Sequence, residues 1–84
     1  MNLHLSPDVQ ARVPEKLRGD VKKFAGRHIS KTDRTDGLKL IFDDGAWVLM
    51  RASGTEPLIR IYTEAATPAE SQKIAEEARA WITQ

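Results

Sequence analysis

The distribution of apolar residues predicts strands in the middle of the chain and helices near its two ends. Residues 38–42 and 58–64 alternate with a period of two, which is typical of strands with one buried face. The stretch AWVLMR, residues 46–51, is apolar on both sides, which predicts a central strand. Residues 2–5 and 26–35 are weaker strand candidates.

The first helix is predicted to begin at Pro7, with Ser6 as its N-cap. Its apolar residues recur at every fourth position: Val9, Val13 and Leu17. Pro14 interrupts this pattern, and a proline inside a helix costs about 3 kcal/mol. We therefore expect this helix to be short, kinked or split, followed by an irregular connection over residues 19–26.

The second helix has clear start signals. Thr67 is a candidate N-cap, Pro68 follows at the first helical position, and Glu70 completes a capping box. One face of this predicted helix is apolar and carries Ile74, Ala78, Trp81 and Ile82. Trp81 and Trp47 are both expected to anchor the core where the sheet meets the helices.

Turn signals separate the predicted strands and complete the topology. Asp36–Gly37 is typical of a two-residue hairpin, and Asp43–Gly45 of a second turn. The resulting order is β-α-β(4)-α, an α+β fold in which two helices pack on one face of an antiparallel sheet. At 84 residues, we expect positions 1–84 to form a single domain.

Composition narrows the functional classes. The net charge of +1 gives no support for a general nucleic-acid or membrane-surface binder. The sequence has no cysteine, which excludes disulfides within it and fits a cytoplasmic protein, and we expect neither a signal peptide nor a membrane-spanning helix. The aspartates near the turns lack metal-site spacing, so no metal is expected at Asp33, Asp36, Asp43 or Asp44.

The most unusual stretch is RASGTEPLIR, residues 51–60, between the last two predicted strands. It combines two arginines with two hydroxyls and a glycine that permits close backbone approach. Consecutive turn amides bind anions, and arginine holds them through charge-assisted bonds. A phosphate site is one interpretation; the other is a plain turn, and Glu56 argues against an anion there.

Residues 36–65 resemble the C-terminal domain of the α-D-phosphohexomutases, in the phosphoglucomutase/phosphomannomutase group. The matching pattern is DG-x-K, then G-x-W, then R-x-SGTEP-x-x-R-x-Y-x-E. The resemblance implies a TATA-box-binding-protein-like sheet with two helices. It also implies that this is the fourth domain of an enzyme that moves a phosphoryl group between C1 and C6 of a hexose phosphate through a bisphosphate intermediate.

By matching position, the resemblance makes this loop a phosphate clamp formed by Arg51, Ser53, Gly54, Thr55 and, as a less certain member, Arg60. None of these residues is expected to be catalytic. The phosphoserine and the Mg²⁺ site are expected on other domains of the same enzyme, so the isolated domain is expected to be inactive. The expected partners are those domains and a hexose phosphate, with no nucleic acid and no membrane.

Two other functional classes remain open from the residues. The same loop suits a small module that binds a phosphorylated partner or a nucleic-acid backbone. In a purely structural or dimerising domain, the loop merely reverses the chain.

Overall fold

The computed structural model of the protein describes residues 1–24 and 26–84. The elements in this part of the chain, in order, are β1 (Asn2–His4), α1 (Pro7–Arg18), β2 (Lys23–Phe24), β3 (Arg27–Asp33), β4 (Leu38–Phe42), β5 (Trp47–Ala52), β6 (Leu58–Glu64) and α2 (Pro68–Thr83). The strands form one antiparallel sheet in the order β1-β6-β5-β4-β3-β2. The predicted α+β class and the central position of residues 46–51 are confirmed.

The core lies between the sheet and the two helices, which pack on the same face. Inward-facing residues of β4, β5 and β6 meet the apolar face of α2, as the period-two and helical patterns predict. The residues with at most 1% exposure in these elements are Leu38, Leu40, Val48, Met50, Ile59, Ile61, Ile74, Ala78 and Ile82. Burial of one such aliphatic side chain stabilises the fold by about 1.5–3 kcal/mol.

The first helix is not split at Pro14, although a split was one of the predicted outcomes. The helix α1 continues through Pro14 to Arg18, with Ser6 as its N-cap. Tertiary contacts hold it in place, because Val13 is buried in the core and the Lys16 ammonium donates to the Trp81 carbonyl of α2. Burial of Lys16 and the charge of Arg12 lower the pKa of the Lys16 ammonium.

The connection predicted as irregular, residues 19–26, contains an additional short strand. Lys23 and Phe24 in β2 pair with His28 and Arg27 in β3, so the meander has five strands rather than four. Ala25 lies outside the described residues. Phe24 is buried, stacks on Phe42 and meets Trp81 edge-on, which confirms Trp81 as an anchor between sheet and helix.

The second helix begins as the sequence predicts, but its glutamate has a different partner. The Thr67 hydroxyl accepts a hydrogen bond from the Glu70 amide at 3.1 Å. The Glu70 carboxylate binds the Arg27 guanidinium, which also bonds Asp44 at 3.1 Å and lies over the Phe42 ring. Arg27 therefore joins α2 to the β4–β5 turn across the end of the sheet.

The β3–β4 connection spans residues 34–37 and is therefore longer than the predicted two-residue turn. The Asp33 carboxylate accepts from the hydroxyl and the amide of Thr35, and these bonds lower the pKa of the Asp33 carboxyl. Gly37 has φ +133°, and a Cβ atom at this position would lie 2.5 Å from the Met50 carbonyl oxygen. The turn thus packs directly against the backbone of β5.

This close approach makes Gly37→Ala a test of the fold. Backbone strain alone is expected to lower the free energy of unfolding by about 1–3 kcal/mol, because φ +133° is unfavourable for alanine. The clash with Met50 adds to this loss. Gly54→Ala is the matched control, since a Cβ there meets no atom within 4 Å. Urea denaturation of both variants measures the difference, and equal stabilities would contradict it.

Candidate functional site

One face of the β5–β6 hairpin packs in the core, and the other face carries the candidate site. Val48 and Met50 in β5, with Ile59 and Ile61 in β6, point under the helices and are buried. Because successive side chains in a strand point to opposite faces, the residues between them lie on the face that the helices leave open. This open face carries Arg51 and Arg60.

Arg51 and Arg60 are directly opposite each other in the register of β5 and β6. Paired residues in an antiparallel sheet have Cα atoms about 4.5–5.5 Å apart, so the two guanidinium groups occupy neighbouring positions on one face. Both side chains are exposed. In residues 1–24 and 26–84, neither forms an ion pair with a carboxylate. The hairpin therefore places two uncompensated positive charges side by side.

The loop between these strands, residues 53–57, is held by its own hydrogen bonds. The Ser53 amide donates to the Leu58 carbonyl at 2.9 Å and closes the loop, while the Leu58 amide donates to the Glu56 backbone carbonyl at 2.8 Å. The Ser53 hydroxyl accepts from the amides of Thr55 and Glu56, both at 3.4 Å. These two bonds are at the long end of the usual range and are correspondingly weak.

Gly54 contributes space to the loop and does not use the left-handed conformation that glycine permits. The glycines with positive φ in the described residues are Gly26, Gly37 and Gly45, so Gly54 does not adopt the left-handed conformation. Its contribution is space, because a Cβ at this position would meet no atom within 4 Å. The backbone at Gly54 is consequently open to a ligand from the side that a larger residue would cover.

Glu56, which weighed against an anion site, lies beside α1. It lines a cavity of about 180 Å³ whose other lining residues include Leu5, Gln10 and Val13. The Leu5 amide also donates to the Pro57 carbonyl at 2.8 Å, which fixes this side of the loop to the chain between β1 and α1. The arginine pair is on the opposite face of the sheet from this cavity.

Trp47 was expected in the core, and this expectation is wrong. Trp47 is on the open face, where its indole N–H donates to the Glu64 carboxylate at 3.1 Å. The Lys39 ammonium lies 4.3 Å from the centre of the Trp47 ring, a cation–π contact. The sequence contains the signal for this position, because Trp47 is an even number of residues from Arg51 and therefore shares its face.

The aspartates and histidines do not converge on a site. Asp33 and Asp44 are bonded within turns, and His28 lies 3.6 Å from Asp43 in an exposed pair. In the described ranges 1–24 and 26–84, no three His, Asp or Glu side chains are grouped so that they would hold a metal ion. Neither helix of that part of the chain is long and apolar enough to cross a membrane.

The five predicted phosphate ligands thus occupy one end of the β5–β6 hairpin. Arg51 and Arg60 form the last pair on the open face before the loop, and Ser53, Gly54 and Thr55 are in the loop itself. The arrangement offers two cations, two hydroxyls and exposed backbone amides. Its chemistry is suited to hold an anion.

Comparison with known proteins shows which family the chain resembles. The family model described as "Phosphoglucomutase/phosphomannomutase, C-terminal domain" matches residues 9–80. Relatives include a phosphoglucomutase/phosphomannomutase of Thermococcus kodakarensis, 52% identical over 67% of this chain and 12% of the relative. A probable phosphoglucosamine mutase of Methanothermobacter thermautotrophicus is 43% identical over 63% of this chain and 12% of that protein.

A phosphopentomutase of Thermococcus kodakarensis is 31% identical over 94% of this chain and 18% of its own length. The chain thus spans less than a fifth of each of these relatives. Because the family model covers most of the sequence, the chain belongs to the phosphoglucomutase/phosphomannomutase C-terminal domain family.

Proposed function

We propose that this chain is the phosphate-binding domain of a phosphohexomutase, with Arg51, Ser53, Gly54, Thr55 and Arg60 as the residues that hold the phosphate. The observation that carries the proposal is the cross-strand pair of Arg51 and Arg60. Like charges directly opposite each other destabilise a sheet by up to about 1 kcal/mol, and a bound dianion reverses the sign of this interaction. The pair is best explained by an anionic ligand.

The proposed ligand is a phosphosugar, held through its phosphate. The names of these relatives all refer to phosphosugars. The sugar is a hexose in some of the names and a pentose in another. A domain common to these enzymes is suited to bind the group that their substrates share. Arginine and backbone amides provide the donors that a phosphate requires.

In the proposed reaction this domain positions the substrate, and the chemistry occurs elsewhere. The enzyme moves a phosphoryl group between C1 and C6 of a hexose phosphate through a bisphosphate intermediate. Holding the phosphate that is not transferred fixes the other end of the sugar, and positioning of this kind lowers the barrier to phosphoryl transfer. A phosphoserine and Mg²⁺ belong to other domains of the cytoplasmic enzyme, so the 84-residue chain alone is inactive.

The arginine pair is expected to lower the stability of the folded chain and to be required for phosphate binding. At low salt, Arg60→Gln should raise the free energy of unfolding by about 0.2–1 kcal/mol, because it removes a like-charge contact. Inorganic phosphate should stabilise the wild-type chain and not this variant, since only a ligand that binds the folded state shifts unfolding. Denaturation with and without phosphate measures both effects.

Arg79→Gln is the charge-matched control for that experiment. Arg79 is exposed on α2 and pairs with Glu76, so its removal changes the net charge equally but leaves the hairpin intact. Phosphate should stabilise Arg79→Gln as it does the wild type. Equal responses of the two variants to phosphate would show that the arginine pair is not the site.

Gly54→Ala separates binding from folding within the loop. Its stability is expected to change by less than about 0.5 kcal/mol, because the added Cβ lies in open space. Phosphate binding should weaken, since the methyl group covers the backbone that the ligand approaches. ¹⁵N–¹H spectra titrated with phosphate follow the amides of Ser53, Gly54 and Thr55, and unchanged affinity in the variant would contradict this role.

In the intact enzyme, Arg51→Ala is expected to lower kcat/KM for the sugar phosphate by about tenfold to a hundredfold. A hydrogen bond to a charged group contributes about 1.5–3 kcal/mol to binding. Removing the Arg51 side chain removes such a bond and is therefore expected to weaken the positioning of the substrate. The circular dichroism spectrum of the variant should match the wild type. A kcat/KM equal to that of the wild type would contradict a role of this loop in substrate binding.

A further inference from the structure

The open face of the sheet is arranged in rows that lead away from the arginine pair. Arg51 and Arg60 form the first row, Leu49 pairs with Tyr62 in the second, and Trp47 pairs with Glu64 in the third. Rows on one face are two residues apart, or about 6.8 Å along the strand. The second row is therefore the next surface that a molecule meets when one end of it lies at the arginines.

The second row is apolar and accessible. The large aromatic side chain of Tyr62 is 45% exposed, and Leu49 beside it is half-buried. Tyr62 also borders, with Trp47 and Glu64, an open groove of about 480 Å³ whose other lining residues include residues of α2. A single exposed aromatic residue is common on protein surfaces. The feature that distinguishes Tyr62 is its position beside two unpaired cations.

Polar groups bound this apolar floor on two sides. Arg51 and Arg60 lie at one end. At the other, the Glu64 carboxylate accepts from Trp47 and the Lys39 ammonium covers the Trp47 ring. Lys39 also pairs with Leu49 across β4 and β5, so its backbone lies beside the second row while its ammonium lies over the third. The open face thus presents cations, then an apolar patch, then a polar border.

We infer that Tyr62, with Leu49 beside it, is the surface on which the sugar ring packs when its phosphate is held at Arg51 and Arg60. This inference rests on the proposed phosphate site. A pyranose ring has one face of C–H groups and a rim of hydroxyls, which matches an aromatic floor with polar neighbours. Contact with the C–H face does not read individual hydroxyls, so one platform serves sugars that differ in configuration.

The simpler role for Tyr62 is to stabilise the sheet. Aromatic and aliphatic residues paired across strands contribute about 0.2–1 kcal/mol, and Tyr62 with Leu49 is such a pair. The two roles separate experimentally, because a sheet contact affects stability alone. A ligand platform affects the affinity for a phosphosugar and leaves the affinity for a phosphate without a ring unchanged.

The experiment compares methyl phosphate, a monoester without a ring, with glucose 6-phosphate on the 84-residue chain. ¹⁵N–¹H spectra are titrated for the wild type, Tyr62→Leu and Tyr62→Phe. The wild type and Tyr62→Phe should bind glucose 6-phosphate about twofold to tenfold more tightly than methyl phosphate, the range for one aromatic contact. Tyr62→Leu should lose this preference and keep its affinity for methyl phosphate.

Each outcome discriminates. If the wild type shows no preference for the sugar ester, or Tyr62→Leu retains one, the platform is overturned and the phosphate site stands. If methyl phosphate leaves the Ser53, Gly54 and Thr55 amides unshifted, the proposed function itself fails, and the platform fails with it. Shifts at the Tyr62 and Leu49 amides that appear with glucose 6-phosphate and not with methyl phosphate or glucose support it.

Discussion

The alternation of side chains along β5 and β6 is the constraint on which the rest of this structure depends. Val48, Met50, Ile59 and Ile61 supply the centre of the core, so each must point towards the helices. A slip of one residue in either strand would move its whole apolar set to the open face and bury an arginine. The same requirement that builds the core therefore fixes Arg51 opposite Arg60.

Long-range contacts fix the position of this hairpin relative to the neighbouring elements. Arg27 joins the β4–β5 turn to the start of α2 through Asp44 and Glu70. Gly37 lets the β3–β4 connection lie against the backbone of β5 next to Arg51. Leu5 holds the loop through Pro57. The candidate site itself is exposed, and the elements around it carry its rigidity.

Local sequence patterns predicted the elements well because those patterns report directly on burial. Alternation identified the strands, and Ser6 and Thr67 identified both helix starts. Patterns failed where a distant contact decides the outcome. The carboxylate of Glu70 binds Arg27, 43 positions away, and α1 passes through Pro14 because Val13 and Lys16 hold it to the core and to α2. The prediction for Trp47 was wrong because it relied on the apolar character of the side chain. The even spacing of Trp47 from Arg51 indicates the open face instead.

The sequence named the residues of the candidate site, and their role as ligands stays a prediction, but the geometry of the loop could not be predicted. The arginine pair follows from strand spacing, whereas the conformation of Gly54 depends on the hydrogen bonds that Ser53 makes. Those bonds also affect how an anion would bind. An anion that takes the Thr55 and Glu56 amides replaces the Ser53 hydroxyl as their acceptor, so binding exchanges hydrogen bonds instead of adding them. Departure of the anion restores the internal bonds, so these two amides have an acceptor in both the free and the bound loop.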